Sequence, residues 1–406
     1  MKKVVILGNS RNGIFHQMVQ HFLAEESEVY LIDIGTNYTH ERLKVVSSSE
    51  FLGKIDKLLI GLTSRIINVS DLFFSTFYFL VLFKFRELKL FWQLPNLKRP
   101  ISNMIFFSRI LNRLNVDYVI CLNVYFYGFC SILSTKKNVV AQPWGSDVNV
   151  YGVSSPVRFY LMKKCLTNSR YIAPAGRSVM RFIKEKYKIP TEKLVFLHPQ
   201  VDSNFFHTIS KLDREKIRTG FGIPSDAIVF FSCRRFAEGW GPSTIKLLFQ
   251  KLAIQVPNSF FIVLSGYDRN QLLNDFRNEL PHSIRHKFYF IDRIISLEEF
   301  GKYAQVSDFT VSAMTNSDMQ SSSIMQSASC GAYPILLEQE EYRLMEADGF
   351  KALLFKTIDD ALFIRISELV RDSETLMKLA NSNSEYFKRV GSQQSYVAKL
   401  NNLSYL

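Results

Sequence analysis

Two doubly wound α/β domains, each a parallel sheet covered by helices, are predicted from three observations. Short apolar runs alternate with amphipathic stretches through both halves of the chain, the rhythm of strands buried between helical layers. A length of 406 residues with 47% hydrophobic content supplies enough apolar side chains for two separate cores. The rhythm breaks near His198-Pro199-Gln200-Val201-Asp202-Ser203-Asn204-Phe205-Phe206, where a strand ends, a proline intervenes and a charged helix over Lys211–Thr219 begins.

In the first half, strands are expected at Val4–Leu7, Val29–Ile34, Tyr118–Leu122, Val139–Ala141, Tyr171–Ala173 and Val195–Leu197, each a short apolar run. Helices are expected between them, as at Ile14–Ala24 and Met180–Lys188. The second half repeats the pattern with strands at Ile228–Cys233, Phe260–Leu264, Phe288–Ile291, Phe309–Val311, Tyr333–Leu336 and Leu353–Phe355. Helices near Thr244–Gln255 and Gln271–Leu280 separate them, and a last helical pattern runs from Glu374 to about Lys399.

Charge is divided unequally. Residues 1–205 hold 27 Lys and Arg against 14 Asp and Glu, whereas residues 206–406 hold 23 of each, so the whole excess of +13 sits in one half. A basic surface of this kind meets phosphate, on nucleic acid or on anionic lipid. Within that half, residues 71–92 form an aromatic-rich run broken and followed by Lys84, Arg86 and Lys89, with Lys98, Arg99, Arg109 and Arg113 nearby. The uninterrupted apolar part is about a dozen residues against the roughly 20 that a spanning helix needs. A buried core helix and an interfacial helix both fit it, and the clustered cations favour contact of region 66–114 with an anionic leaflet. Five cysteines lie far apart with no Cys-x-x-Cys pair, and Met1-Lys2-Lys3-Val4 runs directly into a strand. These features imply a reduced, cytoplasmic protein, peripheral on the inner face of the membrane.

Ligands of open α/β sheets bind at the carboxyl ends of strands, so the loops there carry the chemistry. The richest is Ser317 to Ile335, which reads as polar loop, serine-capped short helix, glycine stop and buried strand. Ser321, Ser322 and Ser323 precede Ile324 at the start of a helix whose first N–H groups and dipole favour an anion. Asp318 and Gln326 stand eight apart across it. After the second domain's first strand comes Arg234-Arg235-Phe236-Ala237-Glu238-Gly239-Trp240-Gly241, where arginine suits a diphosphate through its fixed fork of donors. In the first domain, Gln142-Pro143-Trp144-Gly145-Ser146-Asp147 follows one strand and Gly8-Asn9-Ser10-Arg11-Asn12-Gly13 another. The latter has neither dinucleotide nor P-loop spacing. Trp144 reads equally as a packing or a ligand residue, and Asp147 equally as a helix cap or a ligand contact. No Asp-x-Asp, His-Glu-x-x-His or Gly-x-Ser-x-Gly occurs, so neither a metal nor a serine nucleophile has support.

Taken in order, Trp-Gly-Ser-Asp, Val-Asp-x-x-x-Phe (201–206), Arg-x-x-x-x-x-Gly (235–241) and Asp-x7-Gln (318–326) resemble the GT-B glycosyltransferases of family 4 over nearly the whole chain. The chain departs from the family in having Trp144 where many members have His, Trp240 at the lysine of Gly-Arg-Leu-x-x-x-Lys-Gly, and Asp318 and Gln326 at its two glutamates. The resemblance implies a GT-B fold, two Rossmann-like domains facing across a cleft. Residues 1–203 would bind acceptor, 204–383 would bind the nucleotide sugar, and a helix over 384–406 would cross back. It implies catalytic roles for Asp318, at the transferred sugar, and Arg235, on the diphosphate. Arg234, Ser321, Ser322, Ser323, Gln326 and Trp240 would line the donor site, with Gln326 on the ribose, and Asn12, Gly13, Trp144 and Asp147 would lie near acceptor or sugar. The activity implied is metal-independent, retaining transfer from a nucleotide diphosphate sugar, without a cofactor, to a lipid-linked or polysaccharide acceptor, with no nucleic acid partner. A nucleotide-sugar epimerase of the same fold and an inactive sugar-nucleotide binder remain as alternatives.

Overall fold

The computed structural model describes residues 3–8, 28–33, 43–45, 118–125, 138–266, 270–315, 321–392 and 395. The chain divides into two compact units between Leu197 and His198. Each holds one six-stranded sheet in which every pairing is parallel.

In the first unit the strands are β1 (Lys3–Gly8), β2 (Glu28–Asp33), β3 (Leu43–Val45), β4 (Tyr118–Leu122), β5 (Val139–Gln142) and β6 (Tyr171–Ile172), in the order β3-β2-β1-β4-β5-β6. The second unit repeats that order with β7 (Ile228–Ser232), β8 (Ser259–Leu264), β9 (Phe288–Ile291), β10 (Phe309–Ser312), β11 (Tyr333–Leu337) and β12 (Leu353–Phe355), arranged β12-β11-β10-β7-β8-β9. Strand order reverses between β1 and β4 and again between β7 and β10, and at such a point the crossovers leave to opposite faces and open a crevice.

The second sheet shows why unbroken apolar runs are needed. All six residues of β8 are buried, and their period of two divides them between two cores. Phe260, Ile262 and Leu264 join Val229, Phe231 and Cys233 on one face. Phe261 and Val263 join Phe230, Phe309 and Val311 on the other. On this second face the rings stack from strand to strand, with Phe230 centred 4.8 Å from Phe309 and 5.4 Å from Phe261, which lies 4.7 Å from Phe288. Helices close both faces, and their starts are capped as the sequence demands. Ser210 accepts from the N–H of Asp213, Asn270 from Leu273, Ser296 from Glu299 and Asp359 from Leu362.

Three departures from expectation have local causes. Val195–Leu197 forms no strand: only Leu194 bridges Ile172, because its neighbour β6 is two residues long and offers no further backbone. Strand β3, at three residues, is too short to show a pattern. The last described long helix is Ser373–Val390, stopped by Gly391. It packs on the second unit, with Tyr386 and Phe387 against Phe350. The expected helix at Ile14–Ala24, the aromatic run at 71–92 and the basic region 66–114 lie outside the described residues, as does most of the chain beyond Gly391. Among the described residues, no helix is long and apolar enough to cross a membrane.

Candidate functional site

The crevice between β7 and β10 is built by two loops. After β7 the chain runs Cys233 to Gly241, pinned in the middle by Phe236. That residue is buried, its ring is centred 5.5 Å from Phe276, and its N–H reaches the carbonyls of Leu264 and Ser265 at 3.2 Å each. Gly241 then starts helix Pro242–Gln255 at φ 72°, and a Cβ there would stand 2.0 Å from the Ala313 carbonyl oxygen of the loop after β10. The two loops touch at this glycine. Gly241→Ala therefore meets both a left-handed backbone and a backbone clash, and is expected to lower stability by about 1–3 kcal/mol. Urea unfolding measures this, and a loss below about 0.5 kcal/mol would show that the loop simply moves aside.

Arg234 reaches across the crevice. Its Nη1 donates to Ser321 Oγ at 2.7 Å and to Ser323 Oγ at 3.1 Å, and its Nη2 lies 3.4 Å from Met314 Sδ. Its Cζ sits 4.0 Å from the ring centroid of Trp240. Burial lowers the pKa of this guanidinium from the usual arginine value, opposed by the nearby Cys233 and Tyr342, yet arginine stays charged at any accessible pH. Burial likewise pushes the Cys233 thiol up, with the hydroxyl hydrogen bonds around it pulling the other way. No carboxylate among the described residues pairs with Arg234.

The serines behave differently from the expected cap. Ser321 precedes helix Ser322–Ser329, but its side chain accepts no bond from the helix N–H groups. Arg234 claims the hydroxyl instead, and Ser321 Oγ and Ser323 Oγ lie 3.1 Å apart. The first-turn N–H groups are thus left without a serine cap. Gln326 is half-buried one turn along the same helix. Arg235 is exposed, with its stem over Gly266, where φ is 70° and a Cβ would stand 2.5 Å from Arg235 Cγ. The β7–β10 crevice thus brings together Arg234, Trp240, Ser321 and Ser323. Asp318, Asn12 and Gly13 lie outside the described residues.

In the first unit, Asp147 is wholly buried. Its Oδ1 accepts from the N–H groups of Trp144 at 2.9 Å and Gly145 at 3.0 Å, and its Oδ2 accepts from Val124 at 2.9 Å. Both oxygens are occupied by backbone, so the carboxylate ties the loop after β5 to the end of β4 and reaches no ligand itself. Trp144, held by that knot, is half-buried, and its Nε1 has no hydrogen-bond partner among the described residues. Sequence reasoning missed Met314 and the Arg234–serine bonds. The adjacent arginines at a strand end were the available signal, but the sequence does not say which of the two turns inward. Among the described residues, no three His, Cys, Asp or Glu side chains gather as a metal site would require.

No family model matches the chain, and no curated protein sequence is similar to it. Solved structures are similar over its full length. A sucrose-phosphate synthase from Thermosynechococcus elongatus superposes with a TM-score of 0.69 at 11% identity, covering 99% of this chain and 98% of that one. Anabaena Alr3699/HepE in complex with UDP-glucose gives 0.67 at 11%, with full coverage of both. WaaG, a glycosyltransferase involved in lipopolysaccharide biosynthesis, gives 0.64 at 11%, covering 99% of each. At such identity the likeness establishes the fold: it is GT-B, as the motif resemblance implies.

Proposed function

We propose that this GT-B chain is a glycosyltransferase that moves a sugar from a nucleoside diphosphate donor to a hydroxyl of a lipid-linked or polysaccharide acceptor, such as a lipopolysaccharide intermediate. The observation that carries the proposal is the half-buried guanidinium of Arg234, held beside the start of helix Ser322–Ser329 at the β7–β10 switch point, with only neutral groups described around it. A cation and helix-end N–H groups at that place suit a diphosphate, whose charge grows as the sugar departs. Arg235 serves the same leaving group, Asp318 the transferred sugar and Gln326 the ribose, and Asn12, Gly13 and Trp144 stand on the acceptor or sugar side. Asp147 shapes the loop that presents Trp144. Retention of anomeric configuration belongs to this proposal on the motif resemblance, membrane association on the clustered cations of region 66–114, and independence from metal on the lack of an Asp-x-Asp or His-Glu-x-x-His motif. The HepE complex with UDP-glucose and the lipopolysaccharide role of WaaG support the choice of donor and acceptor class.

Calorimetry with a panel of nucleoside diphosphates and their sugars tests the reading, followed by product analysis by NMR with lipid-linked acceptors. Binding of at least one donor and acceptor-dependent turnover are expected, with turnover reduced in Arg235→Ala. Turnover of the donor sugar without acceptor would indicate the epimerase, and absence of all binding would leave an inert partner.

A further inference from the structure

We propose that the first unit carries a docking surface for an anionic lipid bilayer on helices Pro156–Asn168 and Arg177–Tyr187, with lysines as its charge and Tyr160 as its aromatic anchor. Only the choice of a membrane rests on the reading above. The surface itself is made of residues that belong neither to region 66–114 nor to the donor-binding loops.

Three observations carry it. First, charge is concentrated here. Residues 151–193 hold 10 Lys and Arg against 2 Asp and Glu, so +8 of the chain's +13 falls in this stretch. Lys163, Lys164, Lys184, Lys186 and Lys188 are all exposed, and none of them pairs with a carboxylate among the described residues. A helix dipole favours cations in the last turn, where Lys184 and Lys186 stand, but Lys163 and Lys164 lie in mid-helix and gain nothing from it. Second, one buried ring draws these groups together. Tyr187 ends the second helix, its ring is centred 4.9 Å from Phe159 of the first, and its hydroxyl donates to the Val148 carbonyl at 2.7 Å. Lys186 and Lys188 flank Tyr187, and Tyr160 follows Phe159, so the basic end of one helix lies beside the exposed stripe of the other. That stripe, Tyr160, Lys163, Lys164 and Thr167, recurs at spacings of three and four, opposite the buried Met162, Cys165 and Leu166. Third, the surface is aromatic as well as basic. Tyr160 is 64% exposed, and Val150 and Tyr151, in the turn that Tyr187 holds through Val148, are about half exposed. Apolar and tyrosyl side chains among lysines match a headgroup layer, where rings and stems enter the lipid while the charges stay with the phosphates. Nucleic acid would favour arginine, whose fork grips single phosphates, over these five lysines, and would leave Val150 without a partner.

The test uses the full chain in co-sedimentation with phosphatidylcholine vesicles, with and without phosphatidylglycerol, and with a random-sequence RNA as the competing probe. Wild type is expected to bind the vesicles that contain phosphatidylglycerol and to stay in solution with phosphatidylcholine alone. Removing two lysines, as Lys163→Ala, Lys164→Ala or as Lys184→Ala, Lys186→Ala, is expected to weaken that binding about 10–30-fold, and Tyr160→Ser about 3–10-fold. Nucleoside diphosphate binding, read by calorimetry, should stay at the wild-type value in all three. Vesicle binding at the wild-type level in both double variants would overturn the proposal. If Lys84→Ala, Arg86→Ala loses vesicle binding while those variants keep it, membrane association stands and this surface does not carry it. RNA binding that the same variants abolish, without vesicle binding, would give the face to nucleic acid and overturn the proposal as well. A wild type that binds no vesicle would overturn both this surface and the membrane association above, whereas donor binding and turnover decide the transferase reading separately.

Discussion

Asp308→Ala is expected to destabilise the second unit by about 3–5 kcal/mol, the range for stranding the partner of a buried ion pair. The carboxylate stands just before β10 and accepts from Arg218 Nη2 at 2.9 Å, Arg214 Nη2 at 2.8 Å and the Val229 N–H at 2.7 Å. Arg218 is buried, and its remaining donors go to the carbonyls of Val306, Ala227 and Ser225. Neutral acceptors alone cannot balance the charge once Asp308 is gone. Arg214 is about a third exposed, so water replaces much of what it loses. The cluster couples helix Lys211–Gly220 to β7 and β10. It joins them at the start of β10, whereas Arg234 and the serines it binds lie at the strands' carboxyl ends. Urea unfolding should show a lower midpoint, with Asp308→Ala, Arg218→Leu regaining much of the loss because the stranded charge is removed too. A single variant within about 1 kcal/mol of wild type would mean that water already screens the pair.

Asp147→Ala is expected to cost roughly 3 kcal/mol or more at pH 7, because three backbone N–H groups lose their acceptor at once. Asp147→Asn should cost less. Its amide oxygen can still serve Trp144 and Gly145, while the Val124 N–H faces an NH2 group. The pH dependence has an unusual direction. Burial raises the Asp147 carboxyl from 3.8 to about 6 despite the N–H groups that favour its charged form. Between about pH 6 and 4 the folded state therefore takes up a proton that the unfolded state does not. Stability from this group is fully present below the unfolded value and lost as pH rises through about 6. Measured as the difference between wild type and Asp147→Asn, it should increase on acidification from pH 7 to 4 by on the order of 3 kcal/mol. A difference that stays flat across this window would show that the three N–H bonds hold the carboxylate ionised.

The two residues also show what motif reading does and does not convey. Asp147 stands in a Trp-Gly-Ser-Asp run that resembles a sugar-bordering segment, and the run is indeed a loop at the end of a central strand, after β5. Its carboxylate nonetheless points into the unit, at the backbone of Val124, 23 positions away. Nothing in the run reveals this, because the partner is a main-chain N–H that every sequence offers. Asp308 carried no motif at all. Its importance comes from Arg214 and Arg218, some ninety positions earlier, which meet it only when helix Lys211–Gly220 packs against the sheet.

By itself the sequence determined the α/β class, the rhythm of strands, the break near residue 198 and the loops that stand at strand ends. These are consequences of local periodicity and of where glycine, proline and serine interrupt it, and local signals survive without knowledge of distant contacts. Only the tertiary structure decided the strand order, the inward turn of Arg234 rather than Arg235, and the diversion of the Ser321 hydroxyl from capping to binding a guanidinium. Each of those depends on which groups compete for one donor or acceptor across 80 or more positions of chain, as Arg234 does with Ser321, and that competition exists only after the sheet has brought β7 beside β10.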